Sequence, residues 1–167
     1  EAHVEAPTVG SVYLASILLK LGGYGFIRLL LELLPEASIM YAPFAQTIAL
    51  FSVFISSLII LVQSDIKKII AYSSIAHMNF AVVGVFSYGL NSLYGSIYLM
   101  LAHGITSGAL FFLVGILYDR HKTRIIYYYG RLMTFMPIFS FFFFIFSFAN
   151  VGFPGTMNFI GEILLVV

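Results

Sequence analysis

Four ionisable side chains stand inside otherwise apolar stretches of this sequence, where a charge is expensive. Lys20, His77 and His103 each lie near the middle of an apolar run, and Glu162 follows a break at Pro154. A charge at the centre of a bilayer costs about 2.5–3.5 kcal/mol on insertion scales, so such residues usually face the interior of a helix bundle. Because they commonly line ion or proton paths there, we interpret the four as candidates for that role.

A lysine, two histidines and a glutamate form a set that can carry protons. Burial favours the neutral amine of a lysine and a nearby carboxylate favours its ammonium, so a lysine can take up and release a proton, whereas arginine cannot. Histidine titrates near neutrality and can pass a proton between its two ring nitrogens. In this interpretation Glu162 would end the series that Lys20, His77 and His103 begin.

A purely structural role is the competing interpretation for each residue. Lys20 lies about eleven residues from either end of its run, and at about 1.5 Å per residue this is more than a lysine side chain can reach. A lone histidine in a helix is often only a packing residue, and Glu162 could be an interfacial side chain. The setting of the histidines favours function, because Ser73 shares a helix face with His77.

The same polar stripe occurs around the second histidine, where Ser96, His103 and Ser107 are seven and four residues apart and share a face. Other chemistry finds little support. The sequence contains no cysteine, no Ser-His-Asp pattern, no metal-spaced histidine cluster and no Gly-rich phosphate loop. We therefore expect neither a metal nor a cofactor in this chain, although paired haem histidines remain conceivable.

The composition of the chain indicates an all-α integral membrane protein. Of its 167 residues, 61% are hydrophobic and 9% charged, against about 45–50% and about 25% in ordinary globular domains. A soluble domain and a disordered chain are both excluded. The formal net charge of +1 provides no basic surface for nucleic acid, so no nucleic-acid partner is expected.

The apolar runs predict a bundle of about five transmembrane helices, since each crossing needs about 20 apolar residues. The predicted spans are Val9–Leu31, Pro43–Val62, Ile66–Tyr88, Asn91–Tyr118 and a fifth from Phe135 onward. The fifth is interrupted near Pro154. Two interpretations fit: one helix broken at mid-membrane depth, or a loop between two separate crossings.

Several long motifs in this chain resemble the antiporter-like subunits shared by respiratory complex I and multi-subunit sodium/proton antiporters. The motifs cover nearly the whole chain in the family's order: Glu1–Thr8, Leu18–Gly25, Asp65–Met78, Leu101–Ser107, Leu117–Arg124 and Pro154–Glu162. The resemblance implies a bundle of fourteen helices built from two inverted five-helix repeats. In that frame, residues 1–167 form a single transmembrane segment that matches the eighth to twelfth helices, with the twelfth discontinuous.

The resemblance also implies roles for the four candidates. Lys20 matches the central lysine of the family's polar axis, His77 and His103 match its connecting histidines, and Glu162 matches its exit-side glutamate. The implied function is proton translocation in the membrane arm of complex I, coupled to NADH–quinone electron transfer, by a subunit without a redox centre. A component of a multi-subunit cation/proton antiporter is the alternative, and a purely structural fragment is a third; Leu117–Arg124 favours complex I and the mitochondrial inner membrane.

We expect this chain to be an inner segment of a longer subunit, truncated at both ends, or one product of a split gene. It begins without Met and stops within an apolar run. The glutamate and lysine that form the input half of the family's channel would lie before Glu1. The expected partners are therefore a second chain or segment that supplies that half, other membrane-arm subunits, and lipid.

We predict that the Glu1–Thr8 segment and the Asp119–Arg131 loop face the mitochondrial matrix. Basic residues concentrate in the loops that share this side, and the opposite side carries Arg28 alone. The positive-inside rule assigns the side with the basic loops to the inner compartment. The six basic residues are Lys67, Lys68, Arg120, Lys122, Arg124 and Arg131. An Arg124→Cys variant should resist an impermeant thiol reagent added from the intermembrane side; ready labelling from that side would contradict the prediction.

Overall fold

The computed structural model describes residues 2–166 and consists of helices packed around one long central helix. The elements are α1 (Ala2–Glu5), α2 (Thr8–Leu33), α3 (Pro35–Val62), α4 (Ile66–Val85), α5 (Leu90–His121), α6 (Leu132–Phe135), α7 (Pro137–Val151) and α8 (Met157–Val166). Helices α2 to α5 are each long and apolar enough to cross a membrane. The predicted all-α transmembrane fold class is confirmed.

Helix α3 begins at Pro35, two turns before the start predicted at Pro43. A proline in the first helical turn leaves no N–H unsatisfied, and it drives the preceding Leu34 out of the helical region, to φ −130° and ψ 59°. The chain therefore turns at Leu34 between α2 and α3. Pro43 lies inside α3. Transmembrane helices tolerate an internal proline where neighbouring groups satisfy the freed carbonyl.

The boundaries of α4 and α5 also differ from the prediction. Helix α4 ends at Val85 rather than Tyr88, and α5 covers Leu90–His121 rather than Asn91–Tyr118. The backbone conformation excludes Tyr88 from α4 and ends α5 at His121. Tyr88 has a φ of 58° and Lys122 a φ of 54°, a left-handed conformation that cannot continue a right-handed helix.

Helix α5 is the centre of the bundle. In its most apolar stretch 67% of residues are buried, against 6% in α2 and 11% in α3. Leu99, Leu110, Phe111 and Leu117 along α5 are almost completely enclosed. Helices α2, α4, α7 and α8 each pack against α5.

Helices α7 and α8 make one interrupted crossing along α5. Phe139 near the start of α7 packs against Leu117, while Gly161 of α8 lies against Leu99. Leu165, further along α8, packs beside Gly95 near the start of α5. The two short helices follow the central helix from one end to the other, so the broken-helix interpretation is correct and the two-crossing interpretation is wrong.

The N-terminal segment and both basic loops lie at the same end of the bundle. A bridge joins Asp65 to Ile125, and the Lys67 ammonium donates to the carbonyls of Val4 (3.1 Å) and Ala6 (2.7 Å). The Arg124 guanidinium also donates to the Val4 carbonyl, at 3.2 Å. The alternation of spans predicts this shared end, and the compartment it faces stays a prediction.

We predict that Lys67→Ala detaches the N-terminal segment from the bundle. Lys67 is buried, so its loss leaves the carbonyls of Val4 and Ala6 without that donor. The expected loss of stability is about 1–3 kcal/mol. The detachment would be measured by protease cleavage within residues 1–6, and the loss of stability by thermal unfolding of the assembled protein.

The matched control is the adjacent Lys68→Ala. The Lys68 side chain is 45% exposed and its Nζ lies 3.6 Å from the Asp65 carboxylate, a surface pair that contributes about 0–1 kcal/mol. Equal protease sensitivity of the Lys67 and Lys68 variants would contradict the anchoring role of Lys67.

Candidate functional site

Lys20 lies partly buried on α2, between two π-helical segments, Leu14–Leu18 and Phe26–Leu30. Its Nζ donates to the Ala15 carbonyl, five residues earlier, at 2.5 Å. The same Nζ lies 2.8 Å from His103 Nδ1 on α5. Wide turns of this kind are frequent at functional sites in helices, and sequence periodicity did not reveal these two.

Helices α2 and α5 approach closely beside Lys20 because the facing residues are small. A Cβ added at Gly104 would lie 3.2 Å from the Ser16 carbonyl oxygen, and one at Gly108 would lie 3.4 Å from Ser16 Cβ. Small residues let transmembrane helices come into backbone contact. The contact brings the Lys20 ammonium within hydrogen-bond distance of a histidine on another helix.

His103 is completely buried. When its Nδ1 accepts a hydrogen bond from the Lys20 ammonium, the neutral ring carries its proton on Nε2. This Nε2 has no hydrogen-bond partner within residues 2–166. The next ring along the line is that of His77 on α4, with ring centroids 5.7 Å apart and ring planes inclined by 45°.

His77 connects the central helix to the broken one. Its Nδ1 lies 3.3 Å from Oε1 of Glu162 on α8. The two side chains are partly exposed, 19% for His77 and 29% for Glu162, in contrast to the enclosed His103. Both ends of the line, Lys20 and Glu162, are thus partly exposed in the described bundle, and His103 between them is enclosed.

The structure brings all four predicted residues into one line, in the order Lys20, His103, His77, Glu162. Two of its steps are hydrogen-bond or ion-pair contacts. The middle step, between the two imidazoles, is a ring-to-ring contact that a ring rotation or one bridging water would complete. The sequence identified the members of this line, and the structure supplies their order.

The serines on the two predicted polar stripes differ in what they contact. Ser107 Oγ donates to the His103 carbonyl (2.6 Å) and approaches the Ala15 carbonyl (3.5 Å) beside Lys20. Ser73 accepts a hydrogen bond from Asn150 Nδ2 at 3.3 Å. Ser96 bonds the backbone of its own helix, at the Leu93 carbonyl, and does not join the line.

Sequence analysis missed two asparagines that fix the broken helix. Asn150, near the end of α7, bonds Ser73 on α4. Asn158, at the start of α8, is fully buried and donates to the Ala149 carbonyl of α7 at 2.8 Å. Both are polar residues beside a proline break in an apolar run, and that signal could have identified them.

Metal binding finds no support in the described part of the chain. Within it, no three histidine, aspartate or glutamate side chains converge as ligands. Instead, each histidine contacts a charged group: His103 contacts the Lys20 ammonium and His77 contacts the Glu162 carboxylate. The arrangement is suited to moving a proton between groups.

Known proteins similar to this chain share its membrane fold. A family model described as NADH:quinone oxidoreductase/Mrp antiporter, transmembrane region, matches residues 1–167. Chain 4 of NADH-ubiquinone oxidoreductase from Chondrus crispus is 56% identical over all of this chain and 34% of its own length. The chain 4 proteins of Marchantia polymorpha and Arabidopsis thaliana are 56% and 55% identical over the same shares.

Among solved structures, a chain of respiratory complex I from Thermus thermophilus, determined with bound NADH, superposes with a TM-score of 0.86 at 31% identity. The superposition covers 95% of this chain and 33% of that chain. The chain therefore spans about a third of the length of the relatives it matches. Because the family model matches residues 1–167 of this chain, this chain belongs to the NADH:quinone oxidoreductase/Mrp antiporter family of transmembrane subunits.

Proposed function

We propose that this chain forms part of a proton-translocating membrane-arm subunit of respiratory complex I. The observation that carries the proposal is the line Lys20–His103–His77–Glu162 through a bundle whose other described interior groups are mostly apolar. The four residues come from four different helices, so no local regularity of the chain places them together.

In the proposal, each of the four residues has its own part in moving the proton. Lys20 holds it as an ammonium and passes it to Nδ1 of His103. His103 then releases the proton on Nε2 toward the ring of His77, which delivers it from Nδ1 to the Glu162 carboxylate. A histidine relays a proton in this way because its two ring nitrogens exchange roles as donor and acceptor.

Lys20 is the switching group of the proposed relay. Burial favours the neutral amine and a nearby negative charge favours the ammonium, so a small rearrangement of its surroundings can change its occupancy. A groove of about 760 Å³ lies beside Lys20 between α2 and α5 and is bordered by Tyr24, Met100 and Ile105. In the proposal, a neighbouring segment of the full subunit or a second chain packs there and supplies the proton.

In the proposal the assembled protein is a non-redox part of NADH:ubiquinone reductase and holds no cofactor in this chain. It lies in the mitochondrial inner membrane among other membrane-arm subunits, with the N-terminal segment on the matrix side. The alternative is a component of a multi-subunit cation/proton antiporter, since the family description includes Mrp antiporters. The chain 4 names of relatives at 56% identity favour complex I.

We predict that Lys20→Arg abolishes most proton pumping although the positive charge is kept. An arginine stays protonated and cannot hand its proton to His103. The Lys20→Ala variant should be equally impaired, and coupled NADH–quinone turnover should fall in both. The measurement is the number of protons pumped per electron by the complete complex in reconstituted vesicles.

Arg28→Lys is the control, because Arg28 lies on the same helix but pairs with Glu32 at an exposed position. It should pump at the unmodified ratio. A Lys20→Arg complex with that same ratio would show that Lys20 is only a fixed charge and would overturn the switching role.

A further inference from the structure

The break between α7 and α8 contains two glycines with positive φ angles. Gly152 has a φ of 76° and Gly155 a φ of 100°, values that L residues with a side chain rarely adopt. The backbone alone therefore explains a glycine at both positions. Their surroundings differ.

Gly152 lies directly against the carboxyl group of Glu162. A Cβ added at Gly152 would lie 2.6 Å from Glu162 Oε2 and 3.2 Å from its Cδ, whereas a Cβ at Gly155 would meet nothing within 4 Å. The other carboxyl oxygen, Oε1, is the one that faces His77 Nδ1 at 3.3 Å. The carboxyl group thus lies between the imidazole ring and a backbone without a side chain.

The end of α7 is held in this position by several hydrogen bonds. The Gly152 N–H donates to the Ala149 carbonyl at 3.2 Å, and the Phe153 N–H donates to the Phe148 carbonyl at 3.2 Å. The Asn158 amide of α8 donates to the Ala149 carbonyl as well. Because the α7 terminus is fixed to α8, a group added at residue 152 would displace the Glu162 carboxyl group rather than the backbone.

We propose that Gly152 is a positioning residue for proton transfer: its missing side chain leaves the space in which the Glu162 carboxyl group reaches His77. The proposal rests on the proposed function of Glu162 as the acceptor at the end of the line. It assigns to the helix break a second role besides interrupting the helix, since the turn at Gly152 forms one wall of the acceptor's site.

The test compares Gly152→Ala with Gly155→Ala in the complete complex, reconstituted in vesicles. Both substitutions place a Cβ on a left-handed backbone, and only the first meets Glu162. We expect Gly152→Ala to lower the pumping rate by about tenfold or more relative to Gly155→Ala, because a displacement on the order of 1 Å is enough to disrupt a reacting geometry.

A second measurement reports on the carboxyl group itself. The infrared carboxyl stretching bands of Glu162, assigned by their loss in Glu162→Gln, should shift in Gly152→Ala and stay in place in Gly155→Ala. In a Glu162→Asp background, where the carboxyl group is one methylene shorter, adding Gly152→Ala should cause little further loss. Non-additivity of this kind identifies two residues that act on the same contact.

The outcomes separate this proposal from the proposed function. Unchanged pumping by Glu162→Gln would overturn the role of Glu162, and the positioning role of Gly152 with it. If Glu162→Gln fails to pump but both alanine variants have equal effects, including equal loss of assembled complex, the positioning role alone is overturned. An unshifted carboxyl band in Gly152→Ala would overturn it too.

Discussion

The cost of placing charge in a membrane is the constraint on which the rest of this structure depends. An ammonium and a carboxylate inside apolar helices need polar partners, and the fold provides them in series. Lys20 meets His103, and Glu162 meets His77. The partners that make each charge tolerable are also groups that exchange protons, so the solution to the energetic problem is at the same time the proposed path.

The helices are arranged so that this line can exist. The central helix α5 provides the enclosed His103 and the small residues Gly104 and Gly108 that admit α2. On its other side, the interrupted crossing of α7 and α8 brings Glu162 to the depth of His77. An unbroken helix would lack the free backbone turn at Gly152 against which the carboxyl group rests.

The sequence predicted the fold class, the four long helices and the four proton-transfer candidates, because apolar length and a buried charge are signals carried by single residues and short runs. It did not predict the order of the line, which depends on how helices far apart in sequence pack. The π-helical turns around Lys20 leave no mark in composition, and the start of α3 at Pro35 was missed because a proline both starts and interrupts helices. Asn158 was overlooked because its partner, the Ala149 carbonyl, is a backbone group.

A double-variant cycle on proton pumping tests most directly whether the four residues form one path. The rates of Lys20→Ala, Glu162→Gln and the double variant are compared in the same reconstituted complex. Groups that act in series on one proton should not have additive effects, so we predict that the double variant pumps about as slowly as the slower single variant. A double variant whose loss equals the product of the two single losses would show that Lys20 and Glu162 act independently, and would contradict the single line.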